Sequence, residues 1–196
     1  MPSFTCRSCG SPFTLPQNVL DRYPGWEPST CRSCRDQTKK PANAARAGVT
    51  AASPDGPGTG VFTDGGASPN PGPGGWGAVY VLDGEVIGEL HGHDPATTNN
   101  RMELKALIEG AALVPEGTAA TVYSDSKLAV QTINEWAAGW ERQGWKRKTG
   151  PVENLDLVRR AYTLYRSRPE LTLKWIKGHA GARWNEYADM LANRWR

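Results

Sequence analysis

The chain of 196 residues contains 38% apolar, 22% charged and 9% aromatic residues, which is typical of one globular domain with a small appendage. Its 22 Gly and 15 Pro disfavour an all-helical bundle, and no stretch approaches the roughly 18 consecutive apolar residues of a membrane-spanning helix. The net charge of +3 is too small to identify a polyanion-binding protein. The N-terminus lacks the apolar run and cleavage site of a secretory signal, so we expect a cytoplasmic protein without membrane contacts.

The first segment is distinguished by two Cys-x-x-Cys pairs that are separated by 21 residues. The four cysteines are Cys6, Cys9, Cys31 and Cys34. This spacing is typical of a structural site in which four thiolates bind one Zn²⁺ ion. Zinc is favoured over disulfides or a redox pair because cytoplasmic thiols stay reduced and the segment has few apolar residues; iron or an iron–sulfur cluster is the alternative. We therefore predict a zinc-binding module over residues 1–36.

The residues that follow carry no apolar periodicity. From 36 to 60, Ala, Gly and Pro fill 13 of 25 positions, a composition typical of a flexible tether. We predict a linker over residues 37–59, which leaves 60–196 as the second domain. Arginines in the predicted zinc module, with Tyr23 and Trp26, suggest an accessory contact to nucleic acid; a protein partner or a solvated charged face fits equally well.

The second domain alternates between strand and helix patterns. A short β run, 61–63, precedes two strands, 77–82 and 85–90, that flank Asp83-Gly84, the dipeptide typical of a β-hairpin. Apolar residues spaced three and four apart predict a helix over 100–114. The later patterns predict a strand at 120–123, helices at 126–136, 139–145 and 154–166, a strand at 171–176 and a helix at 184–195. The order βββαβαααβα predicts an α/β fold.

Four acidic residues stand where secondary structure alone does not require them. Asp64 and Asp125 each end a β run, while Glu103 and Asp189 lie on predicted helices. Taken singly, each has an ordinary role in a turn, a helix cap or a solvated surface. If the two strands are neighbours, the four carboxylates meet at one edge of the sheet, where divalent cations would offset their repulsion. Two Mg²⁺ ions, or Mn²⁺, in such a cluster favour phosphodiester hydrolysis.

The four acidic residues belong to a set of five sequence motifs that occur in a fixed order. They are Thr63-Asp64-Gly65-Gly66 with Asn70-Pro71-Gly72-Pro73-Gly74-Gly75-Trp76-Gly77, Thr98-Asn99-Asn100-Arg101-Met102-Glu103-Leu104, Ser124-Asp125-Ser126, Lys177-Gly178-His179-Ala180-Gly181, and Asn185-Glu186 with Ala188-Asp189. With these motifs, nearly all of 61–196 resembles type-1 cellular ribonuclease H. The resemblance implies the ribonuclease H fold, a five-stranded mixed sheet with flanking helices, beside the small Cys₄ zinc module.

The resemblance also implies an activity and a set of catalytic residues. The family hydrolyses the RNA strand of RNA/DNA hybrids with two metal ions and leaves 5′-phosphate and 3′-hydroxyl ends. The implied metal ligands are Asp64, Glu103, Asp125 and Asp189, and His179 would assist proton transfer. We expect a monomer. An integrase-like DNA nuclease and a nucleic-acid-binding protein without hybrid cleavage are the alternatives.

Two groups of residues match the family's substrate contacts. Asn70, Thr98, Asn99 and Asn100 fall where the family contacts the sugar-phosphate backbone and 2′-hydroxyl groups. The second group matches the family's basic protrusion and combines stacking surfaces with cations; it comprises Trp136, Trp140, Trp145, Arg142 and Lys146. A core-packing tryptophan stripe is the alternative for the second group, and loop and cap formation for the asparagines.

Overall fold

The computed structural model describes residues 2–7, 9–14, 56–147, 149–178 and 181–196. The chain divides between Thr50 and Ala51 into two units. Most of the predicted linker, residues 37–59, lies outside the described residues, as do Cys31, Cys34 and His179. Within the described ranges, no helix is both long and apolar enough to cross a bilayer.

A small β-hairpin is the described part of the first unit. Strands β1 (Ser3–Thr5) and β2 (Pro12–Thr14) pair antiparallel, and the rings of Phe4 and Phe13 face each other at 5.8 Å. In the connecting turn, the backbone nitrogen of Cys6 donates to the Ser11 carbonyl, and that of Gly10 donates to the Cys6 carbonyl at 2.8 Å. Gly10 has a φ of 71°, a conformation that a glycine adopts without strain. The turn therefore holds the first Cys-x-x-Cys pair in a tight loop.

The second unit is built on a five-stranded mixed sheet, which confirms the predicted α/β fold. The strands are β3 (Gly60–Ala67), β4 (Gly72–Leu82), β5 (Glu85–Thr97), β6 (Ala120–Ser124) and β9 (Leu171–Trp175). Their spatial order is β5-β4-β3-β6-β9, with the first three antiparallel and β3, β6 and β9 parallel. The β4–β5 turn has positive φ at Asp83 (49°) and Gly84 (83°), which confirms the predicted hairpin.

Helices cover both faces of this sheet. They are α1 (Asn99–Ala112), α2 (Lys127–Gln131), α3 (Ala137–Arg142), α4 (Leu155–Ser167) and α5 (Arg183–Ala192). Successive residues of β3 point to opposite faces. Val61 joins the larger core with α1 and α4, whereas Phe62 packs with Trp184 and Leu191 of α5. The central strand is therefore buried on both sides, so a residue on it is held rigidly.

Helix α5 is tied to the far edge of the sheet by polar contacts. The Tyr187 hydroxyl donates to Glu89 on β5 at 2.6 Å, and Arg194 pairs with the same carboxylate at 3.1 Å. These hydrogen bonds hold the pKa of Glu89 below its usual range. Glu89 thus anchors the helix that carries Asp189.

The main difference from the predicted elements lies between β6 and α4. Two separate helices, 126–136 and 139–145, were expected, but α2 and α3 run on continuously through a π-helical turn, Thr132–Trp136. The helical stretch ends at Arg142, and Trp145 has a φ of 62°. Two short strands, β7 (Lys146–Arg147) and β8 (Gly150–Pro151), follow and pair antiparallel.

Candidate active site

Asp64 lies within the central strand and not, as predicted, at its end. It pairs with Gly77 of β4, and β3 continues for three more residues to Ala67. The next residue, Gly65, faces helix α1: a Cβ there would overlap the Met102 backbone and lie 2.5 Å from the Glu103 nitrogen. Because Gly65 has no side chain, α1 approaches the strand directly and brings Glu103 to Asp64.

Asp125 follows the neighbouring parallel strand and is held from two sides. The Asn185 side-chain amide donates to its Oδ2 at 3.1 Å, and the Trp175 indole nitrogen donates to its backbone carbonyl at 3.0 Å. A Cβ on Gly178 would overlap Asp125 Oδ2 and lie 3.0 Å from its Cγ. The loop after β9 therefore packs against the carboxylate with no room for a side chain.

Asp189 completes the cluster from helix α5. It lines the same cleft as Asp64, Glu103 and Asp125, and its proximity contributes to the raised pKa of Asp64. The Asn193 side-chain amide donates to Asp189 Oδ1 at 2.9 Å, one helical turn along. The four predicted metal ligands thus lie together, each supplied by a different part of the fold.

The cluster is electrostatically strained without a cation. One ligand oxygen from each of Asp64, Glu103 and Asp125 lies within 4.8 Å of the others. Burial, followed by the charge of Asp125 and the contacts with Asp189, raises the pKa of Asp64 from 3.8 to about 7. Burial and the charges of Asp64 and Asp125 raise the pKa of Glu103 well above its ordinary value, although hydrogen bonds with Ser126 and Ser124 oppose this shift.

These residues fit a hard divalent cation. Glu103 Oε2 is buried and has no hydrogen-bond partner among the described residues, so it is an acceptor that a cation can satisfy. Carboxylate oxygens are the ligands that Mg²⁺ and Mn²⁺ prefer. The cleft can therefore hold divalent metal through Asp64, Glu103 and Asp125, with Asp189 beside them.

The ordinary roles considered for single acids do not apply. Thr98 caps α1, and its hydroxyl accepts from the Arg101 nitrogen, so Glu103 completes no capping box. Ser126 caps α2 through the Ala129 nitrogen, so Asp125 is not the cap. The cap residues lie beside the carboxylates and fix where the two helices begin.

Two of the predicted backbone-contact residues, Asn70 and Asn99, form a connected pair beside the cleft. The Asn99 side-chain oxygen accepts from the Ala67 nitrogen at 2.7 Å, and the Asn70 side-chain oxygen accepts from the Asn99 nitrogen at 3.2 Å. Asn99 also lines the cleft, whereas Asn100 lines a separate cavity between α1 and the α2–α3 stretch. Asn70, Asn99 and Asn100 are all exposed.

The predicted aromatic and basic group divides in two. Trp136 and Trp140 pack at 6.0 Å between ring centroids, with the Arg147 guanidinium 5.9 Å from the Trp140 ring. Trp145 packs instead on Tyr162 at 5.9 Å and is partly buried against the larger core. Arg142 and Lys146 are exposed. His179 lies outside the described residues.

Asn185 and Asn193 hold two of the carboxylates, and reasoning from sequence assigned neither a role. Asn185 is 2% exposed, an unusual burial for an amide near the start of a helix. The available signals were its spacing of four residues before Asp189, on the same helix face, and its place in the Asn185-Glu186 motif.

Comparison with known proteins agrees with this geometry. A model of the RNase H family matches residues 57–195. A ribonuclease H from Methylorubrum extorquens (strain PA1) is 48% identical over 132 residues, covering 67% of this chain and 57% of that protein. One from Herminiimonas arsenicoxydans is 45% identical over 135 residues, covering 68% and 91%.

Solved structures show the same likeness. The crystal structure of LC9-RNase H1, a type 1 RNase H with the type 2 active-site motif, is 33% identical with a TM-score of 0.56, covering 69% of this chain and 71% of that one. LC11-RNase H1 in complex with RNA/DNA hybrid is 27% identical with a TM-score of 0.50, covering 68% and 92%. With its carboxylate cleft on a five-stranded mixed sheet, the chain belongs to the ribonuclease H family.

Proposed function

We infer that the second unit is an endoribonuclease that cleaves the RNA strand of RNA/DNA hybrids. The observation that carries this inference is the carboxylate cluster, in which Asp64, Glu103 and Asp125 place ligand oxygens within 4.8 Å of one another. Its position on a ribonuclease H fold selects hybrid hydrolysis from the reactions that divalent metal supports. LC11-RNase H1, a structural relative, has been crystallised with RNA/DNA hybrid.

We propose that Asp64, Glu103, Asp125 and Asp189 hold two Mg²⁺ ions, for which Mn²⁺ can substitute. When bound, such ions activate water and stabilise the departing 3′ oxygen, which gives 5′-phosphate and 3′-hydroxyl ends. The chain keeps its ligands in place through Asn185, which orients Asp125, and Asn193, which orients Asp189. His179 is proposed to move a proton near the cleft; this role stays a prediction from the sequence.

We propose that the asparagine group beside the cleft contacts the hybrid backbone. Asn70 and Asn99 use their side-chain oxygens within the protein, so each side-chain NH₂ can donate to a sugar hydroxyl or a phosphate. Thr98 and Asn100 extend this group along the start of α1. These contacts involve the backbone and not the bases, as a sequence-independent nuclease requires.

The α2–α3 stretch offers a second surface for the hybrid. Trp136 is 37% exposed and packs at a tilt against Trp140, so its exposed part can pack against a sugar. Arg142 and Lys146 place positive charge in the same region for phosphates. Trp145 is included in this surface only because it precedes Lys146 in the chain. Its own ring packs on Tyr162.

We propose that the first unit is a structural Zn²⁺ module formed by Cys6, Cys9, Cys31 and Cys34. Support comes from the tight turn at Cys6 and Gly10 and from the sequence around the four cysteines, which has too few apolar residues for a core. Such a module needs reduced thiols, so a cytoplasmic location is part of the proposal. Its partner is nucleic acid or protein, and the chain is proposed to act as a monomer.

Cleavage of end-labelled RNA tests the nuclease assignment. The full chain is incubated with RNA/DNA, RNA/RNA and DNA/DNA duplexes in Mg²⁺ or Mn²⁺, beside Asp125→Asn. We expect cleavage of the hybrid alone, with activity lost in the variant. A folded chain that binds the hybrid without cutting it in either metal would support the binding-protein alternative, and cleavage of DNA/DNA would support the integrase-like one.

Metal analysis tests the zinc module. We expect one zinc per full-length chain, with loss of that zinc in Cys6→Ser and retention of hybrid cleavage. Hybrid affinity measured across salt concentrations then reports whether the module contacts nucleic acid. Iron in place of zinc would point to the alternative metal, and a metal-free chain would overturn the assignment.

A further inference from the structure

Arg196 is the one cation among the described residues that line the carboxylate cleft. It lies just beyond helix α5, and the other charged residues of the cleft are Asp64, Glu103, Asp125 and Asp189. Four acidic side chains therefore share the cleft with one residue that carries a guanidinium.

The chain holds Arg196 on a rigid support. Its backbone nitrogen donates to the Asn193 carbonyl at 3.2 Å, and its guanidinium lies 5.4 Å from the centre of the Trp195 ring. The Trp195 ring in turn packs where β4 has a glycine: a Cβ on Gly75 would lie 2.7 Å from Trp195 Nε1. The aromatic ring is thus seated on the sheet, and the guanidinium is placed over it.

Among the described residues, the guanidinium of Arg196 contacts the Trp195 ring and forms no ion pair. No carboxylate of the described ranges lies within ion-pair distance of it, whereas Arg194, two residues earlier, pairs with Glu89 at 3.1 Å. Arg196 is also exposed. A side chain in this state keeps its hydrogen-bond donors for an external acceptor.

The acceptor that fits an exposed guanidinium with no carboxylate partner among the described residues is an anion. A guanidinium binds a phosphodiester through paired, charge-assisted hydrogen bonds. We propose that Arg196 binds a phosphate of the RNA strand next to the cleavage position, an inference that rests on the proposed nuclease function.

An internal role makes a different prediction. If Arg196 only offset the repulsion of the carboxylates, its removal would change the Mg²⁺ concentration needed for half-maximal activity and leave the KM for the hybrid unchanged. If it binds phosphate, its removal raises KM and lowers the number of counterions released on binding.

Steady-state cleavage by the full chain across a series of KCl concentrations separates these roles. We expect Arg196→Gln to raise the hybrid KM about 10-fold, to change kcat by less than about threefold, and to lower the log–log salt slope by about one. Arg196→Lys should recover part of the loss. The matched control is Arg160→Gln, which removes a guanidinium that pairs with Glu109 at 3.2 Å, away from the cleft.

The outcomes are distinguishable. Unchanged KM and salt slope in Arg196→Gln, with an active wild type, would overturn the phosphate contact, as would equal changes in Arg160→Gln. A shift in Mg²⁺ activation at constant KM would assign Arg196 to charge balance instead. An inactive wild type would refute the nuclease proposal itself, before Arg196 is tested.

Discussion

The side-chain amide of Asn185 donates to Asp125 Oδ2 at 3.1 Å, so a buried residue of helix α5 holds the carboxylate that follows strand β6. Asn185 is 2% exposed, and its own oxygen has no partner among the described residues. This one hydrogen bond links the parallel strands of the sheet to the helix that carries Asp189. Helix α5 therefore contributes to the cleft twice, through a ligand and through a residue that orients another ligand.

Replacing Asn185 should impair metal-dependent cleavage more than it lowers the stability of the fold. We expect Asn185→Ala to lower hybrid cleavage about 10- to 100-fold and to raise the Mg²⁺ concentration for half-maximal activity, because partners of metal ligands have effects of this size. Asn134→Ala is the control, since its amide donates to the Leu173 carbonyl and neither residue lines the cleft. Equal losses in both variants would contradict an orienting role.

The raised pKa of Asp64 predicts how stability depends on pH. Its pKa is about 7 in the folded chain against 3.8 ordinarily, so between these values the folded state holds a proton that the unfolded state has lost. The contribution of this proton to the free energy of unfolding is fully present below about pH 4 and is lost as the pH rises through about 7. Glu103 acts in the same direction.

Urea unfolding of the metal-free chain and of Asp64→Asn measures this effect. We expect the variant to be more stable than wild type at pH 8 by about 2 kcal/mol, with the difference shrinking toward pH 5. Saturating Mg²⁺ at pH 8 should stabilise wild type more than the variant, because the cation replaces the proton. A difference that is constant from pH 5 to pH 8 would refute the raised pKa.

Two adjacent glycines of β3 should differ in their tolerance of a methyl group. In Gly65→Ala the new Cβ meets the α1 backbone at Met102 and Glu103, whereas in Gly66→Ala it meets nothing within 4 Å. We expect the free energy of unfolding to fall by about 1–3 kcal/mol for Gly65→Ala and by less than about 0.5 kcal/mol for Gly66→Ala. Similar urea midpoints for the two variants would show that α1 adjusts freely.

Two adjacent cations, Lys146 and Arg147, should have separate roles. Arg147 donates to the Pro151 carbonyl at 2.7 Å and lies over Trp140, while Lys146 is exposed. We expect Lys146→Gln to lower the salt slope of hybrid binding by about one without changing the melting temperature. Arg147→Gln should lower stability by about 1 kcal/mol. The reverse pattern would contradict the proposed substrate surface.

The elements predicted with the correct type were those set by local chemistry. Asp83-Gly84 dictates a tight hairpin turn, and the apolar spacing around Leu104 dictates a helix, so neither needed knowledge of the rest of the fold. The grouping of the carboxylates was predicted from joint placement: parallel neighbours β3 and β6 bring Asp64 and Asp125 to one place, and two helices bring Glu103 and Asp189 to the same cleft. The family resemblance implied that the four are metal ligands.

The differences arise where tertiary contacts override local signals. Asp64-Gly65-Gly66 was interpreted as the end of a strand because glycines usually mark turns, but here Gly65 serves the close approach of α1. A π-helical turn has no distinctive sequence pattern. Here it joins two helices that the apolar periodicity predicted as separate. Asn185 gave no signal of burial, since its role depends on Asp125, 60 residues earlier.

The spread of the four ligands over separate elements has a consequence for synthesis. Asp64 lies on the first strand of the sheet and Asp189 on the helix that completes the second face. A chain still being made lacks Asp189 and Asn185 until that helix has emerged, and Asp125 then lacks its amide partner. An unfinished chain therefore has neither the full set of four carboxylates nor the amide that orients Asp125, so we expect the cleft to be completed only when helix α5 packs on the sheet.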